Sequence, residues 1–102
     1  NYKNILQVKI QKEFKKTPTY KEISQQDEDE GYHMGVYLCL NCKPHQVTHE
    51  DSIPYETFGS FEKIHKYLED NESLFVFFAE SKYKIKKKAE QAACHIAIDK
   101  IN

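Results

Sequence analysis

Small side chains gather on one side of the C-terminal segment. Ala89, Ala92, Ala93 and Ala97 share that side with Ile96 on a helix running from about Lys86 to Ile101. A helix must bury its apolar stripe against another element. A stripe made mostly of methyl groups lets the backbone come close to what lies beneath, and the natural support is the face of a sheet.

The rest of the chain supplies one. Ile5, Leu6, Ile10 and Phe14 recur near helical spacing over residues 3 to about 15. Lys15 and Lys16 suit the negative end of that helix, and Thr17-Pro18 stops it. Thr19 to Gln25 alternates like a first strand, and Val36 to Asn41 is a β-rich second strand. Asp27, Glu28, Asp29, Glu30 and Gly31 between them form a solvated acidic turn. Leu74 to Ala79, with Phe75, Val76, Phe77 and Phe78, is a buried third strand rather than an aromatic platform for single-stranded nucleic acid. The stretch from about 43 to 73 holds two prolines and a Gly-Ser pair and is mostly connection. Inside it Phe61, Ile64, His65 and Leu68 fall on one face of a short helix near 60–70, with Ser60 as N-cap. The expected fold is therefore α+β, a single domain over 1–102. An antiparallel three-stranded sheet carries the two terminal helices on one face, with a helical insert at about 43–73 between strands two and three.

Charge narrows the function classes. Five lysines (Lys82, Lys84, Lys86, Lys87, Lys88) stand against Glu90 alone between Ser81 and Glu90, so that window is +4 in a chain of net charge −1. A local basic patch can serve as an electrostatic footprint on an otherwise acidic protein. The chain has no arginine, the side chain best suited to reading guanine edges. Phosphate contact without strong sequence preference is what lysines alone can offer. The three cysteines, Cys39, Cys42 and Cys94, are too few and odd in number for a secreted disulfide scaffold. No apolar run approaches the ~20 residues of a membrane span. These features point to a soluble intracellular chain, in cytoplasm or nucleus, cut from something longer.

Three stretches resemble the double-stranded-RNA-binding domain family, most closely the domain that ends ribonuclease III and Dicer-type enzymes. Tyr2-Lys3-Asn4-Ile5-Leu6-Gln7 is similar to the family's opening Tyr-Lys-x-x-Leu-Gln. Pro18-Thr19-Tyr20 resembles the Pro-x-Tyr that leads into its first strand. Lys86-Lys87-Lys88-Ala89-Glu90-Gln91-Ala92-Ala93 resembles its Lys-Lys-x-Ala-Glu-Gln-Ala-Ala signature. The resemblance implies an α-β-β-β-α fold and a partner, duplex RNA, with no cofactor. It places RNA contacts at Gln7, with Asn4 and Gln11 a turn to either side, at His33 in the loop between the first two strands, and at Lys86 and Lys87, with Lys82 and Lys84 nearby. The physics agrees. A-form RNA hides its base edges in a deep major groove and displays 2′-hydroxyls in a shallow minor one, so a reader needs polar groups in minor grooves and cations between them. The sequence departs from the family pattern at Val8 (often Glu), at Glu30-Gly31-Tyr32-His33 (usually Gly-Pro-x-His), at Ile85 (usually Ser) and in the long insert.

Competing readings exist for several residues. Cys39-Leu40-Asn41-Cys42 with His45 and His49 has zinc-like spacing. However, residues three apart on a strand point to opposite faces, so Cys39 is better read as a small core residue and no metal is expected. The Glu-x-x-Glu-x-x-Gly-Asp type of signature of ribonuclease III catalysis is absent, so the chain alone is not expected to be an enzyme. A dimer or protein partner at the insert is the rival to RNA binding.

Overall fold

Asn1 opens the first helix, its side chain accepting from the Asn4 amide at 2.9 Å. Helix α1 (Tyr2–Phe14) ends at Lys15, which turns left-handed at φ 59 and donates its amide to the Gln11 carbonyl. In the computed structural model, which describes residues 1–27, 29 and 31–102 (25–27 by backbone alone), the chain then forms strands β1 (Thr19–Asp27) and β2 (Gly31–Leu40). A connecting segment follows, containing a two-residue strand β3 (Ile53–Pro54) and helix α2 (Phe61–Asp70). Strand β4 (Leu74–Tyr83) and helix α3 (Lys86–Ile101) complete the domain. Of the expected acidic turn, Glu28 and Glu30 lie outside the described residues.

Among the described residues the sheet has four strands in the order β1-β2-β4-β3. The three long strands are antiparallel, whereas β3 adds to β4 in parallel through Ile53 opposite Val76 and Pro54 opposite Phe77. The sequence-based expectation of three antiparallel strands is corrected here to a mixed sheet. Pro54 is tolerated because β3 is an edge, where a missing amide breaks no interior ladder. The long strands also outrun the expected ones: β2 begins at Gly31 instead of Val36, and β4 runs on to Tyr83. Residues such as His33 and Lys82 have little strand preference, but their register partners across the sheet hold them extended.

Two packed layers explain why β2 is buried from Met34 to Leu40. Val36, Leu38 and Leu40 alternate toward the helices and share one cluster with Leu6, Ile10, Ala93 and Ala97. Tyr37 and Cys39 point the other way, with Phe75, and are covered by Val47 and His49 of the connection. The connection then passes the β4 edge and returns to the helical side. There Ile64 is fully buried in the main cluster, Phe14 and Phe61 meet edge to face at 5.0 Å, and His65 bonds to Glu13 at 2.7 Å. Ser60 caps α2 as expected, accepting from the Lys63 amide. The insert is thus a clasp around one sheet edge, not a protruding loop. On α3 the buried side is Ala89, Glu90, Ala93, Cys94, Ala97 and Ile98, while Ile96 is 42% exposed. The helix is rotated from the orientation its alanines alone suggest.

Gly31 shows why the β1–β2 end is tight. Its φ is +81, and a Cβ there would lie 2.4 Å from the Tyr83 carbonyl oxygen and 2.5 Å from the Lys84 Cα. Both are backbone atoms and cannot swing aside. Gly31→Ala is expected to cost about 2–3 kcal/mol, read as a lower urea midpoint at unchanged m value. An unchanged midpoint would mean that the close approach of Gly31 to Tyr83 is wrong.

Candidate nucleic-acid interface

The positions expected to touch RNA divide into two groups. The first lies on the helical layer. Asn4, Gln7 and Gln11 are placed along one side of α1, as helical spacing of three and four requires, and all three are exposed. Lys86 and Lys87 are exposed in the first turn of α3, with Lys88 beside them and Lys84 exposed just before it. That first turn contains no acid, and Ile85, in the N-cap position, makes no side-chain cap. The Lys88 and Ala89 amides donate to the Ile85 carbonyl at 3.0 and 3.1 Å, and the amides of Lys86 and Lys87 precede the first bond of the helix. Cations there oppose the positive end of the helix dipole, so this turn is arranged against its own stability.

A small network holds the two helix starts together. Lys3 Nζ pairs with Glu90 Oε1 at 2.8 Å, and the Lys3 amide donates to Gln91 Oε1 at 3.2 Å. Tyr2 stacks on His95 at 4.1 Å between ring centroids. The Lys3 ammonium also lies 4.7 Å from the centre of the Tyr20 ring. Glu90 is only 8% exposed, and Lys3 is its ion-pair partner. Through these contacts the start of α1 and the second and third turns of α3 are held together. In the sequence Lys3 and Glu90 stand inside two motifs with no role of their own. Their opposite charge is the only signal, and nothing in one dimension pairs residues 87 positions apart.

The second group lies elsewhere. His33, expected in the loop between the first two strands, stands within β2. Its ring bonds to Ser24 Oγ at 3.1 Å and to Glu80. Alternation along β2 puts it on the side of Tyr37, away from the helices, and Lys82, its register partner on β4, shares that side. His33 and Lys82 therefore lie on the face of the sheet opposite the helices. The physical reason is that β2 extends to Gly31, which moves the turn two residues upstream of the histidine.

The four zinc-like residues do not converge. Cys39 and Cys42 are joined in a disulfide, which leaves neither sulfur as a ligand. The chain turns between them at Asn41, φ 58, a turn that strand alternation does not anticipate. His49 Nδ1 shares a hydrogen bond with the Tyr37 hydroxyl at 2.9 Å, and His45 is exposed. Among the described residues no three His, Cys, Asp or Glu side chains gather as a metal set. Among them too, no helix is long and apolar enough to cross a membrane.

Beneath the helix junction, the Tyr20 hydroxyl and Cys94 Sγ share a hydrogen bond at 3.2 Å. Burial, then the Cys94 contact, pushes the Tyr20 hydroxyl far above its usual range, and burial raises the Cys94 thiol. Burial likewise raises Tyr37 and Tyr55. Groups raised in the folded state stabilise it fully below their unfolded values, and that contribution is lost as pH climbs toward the folded ones. Stability is expected to hold level from neutral pH, then fall once pH passes the ordinary 9.0 of Cys94 and 10.0 of the tyrosines. Urea midpoints that stayed level up to about pH 11 would contradict this burial.

Compared with known proteins, the chain matches no family model, no curated protein and no solved structure.

Proposed function

We propose that this chain binds double-stranded RNA by shape and phosphate contact, without strong sequence preference, as the substrate-binding part of a ribonuclease III-like or Dicer-like nuclease whose catalytic residues lie outside it. The observation that carries this reading is the first turn of α3. Three exposed lysines stand there without an acid or a side-chain cap, an arrangement that an anion at the helix start would stabilise. Exposed polar Asn4, Gln7 and Gln11 on α1 would offer hydrogen bonds to ribose edges in a minor groove. Helices α1 and α3 share one core against the sheet, which supports this reading, whereas strand β3 and helix α2 are additions to the α-β-β-β-α order that the resemblance implies. On this reading the interface comprises Asn4, Gln7, Gln11, Lys84, Lys86 and Lys87. His33 and Lys82 are set apart from it.

One observation favours the rival reading, a domain of the same lineage that binds protein. Val8 is 66% and Ile5 45% exposed on α1, and apolar side chains gain little from a phosphate surface. A titration separates the two. RNA duplex of about 20 bp is expected to bind more tightly than the same-length DNA duplex or single-stranded RNA, because only it combines A-form shape with 2′-hydroxyls. Affinity should fall steeply with added salt. Equal binding to all three nucleic acids, or none, would leave the protein-binding reading in its place.

A further inference from the structure

The Cys39–Cys42 disulfide plays no part in the proposed interface. It closes a loop of sequence separation 3 at the end of β2. Disulfides restrict the unfolded chain more the longer the loop they close, so this one contributes little as a staple. The turn has other support: Asn41 is left-handed, and its Nδ2 donates to the Glu72 carbonyl at 3.2 Å. A reduced Cys42 would also find a partner, since its Sγ lies 3.8 Å from the Leu74 carbonyl oxygen. Both oxidation states thus fit the same strand end.

The two sulfurs differ in access. Cys39 is 9% exposed and packs with Tyr37 and Phe75. Cys42 is half-buried and lines a cavity of about 390 Å³ shared with Gln46, Val47, Asp51 and Tyr67. That cavity sits where the first part of the insert, residues 44–51, meets the sheet. Cys42 and Val47 belong to the same apolar cluster as Tyr37, so the disulfide lies under the contact that holds this segment down.

We propose that Cys39–Cys42 is a reversible thiol–disulfide centre, reached by small thiols of the glutathione class through the Cys42 cavity, and that its oxidation state sets how firmly residues 44–51 lie over the outer face of the sheet. A thiolate attacks Cys42 Sγ and forms a mixed disulfide. The Cys39–Cys42 bond breaks, and its electron pair leaves on Cys39 Sγ, which takes a proton from water. A second small thiolate attacks the sulfur of the bound small thiol and releases Cys42 as a thiolate, which is protonated in turn. The protein disulfide is reduced to two thiols, and two small thiols are oxidised to one small disulfide.

The test is a titration of the folded chain in glutathione buffers of varied reduced-to-oxidised ratio, read by alkylation with mass spectrometry and by amide hydrogen exchange. Cys39 and Cys42 are expected to change together while buried Cys94 stays unmodified. On reduction, exchange at Gln46, Asp51 and Ser52, whose amides bond within this segment, should speed up several-fold while the core of β2 stays protected. Resistance of the bond to glutathione until denaturant is added would overturn the proposal, as would identical exchange in the two states. Single variants test the entry route. Cys42 in Cys39→Ser is expected to form a mixed disulfide with glutathione about ten-fold faster than Cys39 in Cys42→Ser, because access limits attack. Equal rates would remove the route through the cavity. None of these outcomes depends on RNA binding.

Discussion

Lys86→Ala combined with Lys87→Ala is expected to weaken duplex RNA binding by at least about ten-fold and to make the log–log salt dependence shallower by about 2, one for each phosphate no longer neutralised. The same variant is expected to melt no lower than the parent, and slightly higher. Both side chains are exposed, so the packing of the core is untouched. Removing two positive charges from the first turn of α3 relieves their opposition to the helix dipole, a gain of a few tenths of a kcal/mol at such sites. Opposite signs on affinity and stability are diagnostic, since a variant that merely damaged the fold would lower both. Binding equal to the parent, with an unchanged salt slope, would remove α3 from the interface. Lys82→Ala is the natural comparison: Lys82 shares its side of the sheet with His33, so its loss should change the slope far less.

Ile64→Ala is expected to destabilise the whole domain by about 3 kcal/mol, lowering the melting temperature by about 15 °C for a chain this size. Ile64 is fully buried and belongs to the same cluster as Leu6, Leu38 and Ala93, so its removal leaves a void where α2 meets the sheet and α1. The loss should appear in one cooperative transition. If α2 were an appendage, the main transition would stay where it was and only local protection at residues 61–70 would fall. Glu69→Ala, on the exposed side of the same helix, should stay within about 0.5 kcal/mol of the parent. A large Ile64 effect confined to the insert would contradict the clasp geometry.

Much of this arrangement is legible from local rules. Helix α1 begins within a residue of its expected start because Lys and Gln separate apolar positions at helical spacing, and it ends where Pro18 requires. Ser60 caps α2 as its chemistry suggests. Phe75, Val76 and Phe78 are buried as a run of β-formers should be. Other features are not legible. Strand ends at Gly31 and Tyr83 depend on cross-strand partners, which no local window contains. A motif position puts His33 in a loop, and a strand longer than expected carries it to the far face. Ile5 and Ile96 look like core residues by spacing but lie outside it, because the angle at which each helix meets the sheet selects the buried side.

Sequence alone determined the element types, the breaks between them and the lysine-rich, acid-free head of the last helix. Each follows from backbone sterics, hydrophobic periodicity or charge within a few residues, and such effects are additive along the chain. Only the tertiary structure decided which sheet face each lysine and histidine occupies, that residues 44–70 wrap one sheet edge, that Cys39 and Cys42 join, and that Lys3 meets Glu90. Those outcomes are set by contacts between segments tens of residues apart, where geometry, and not composition, selects the partner.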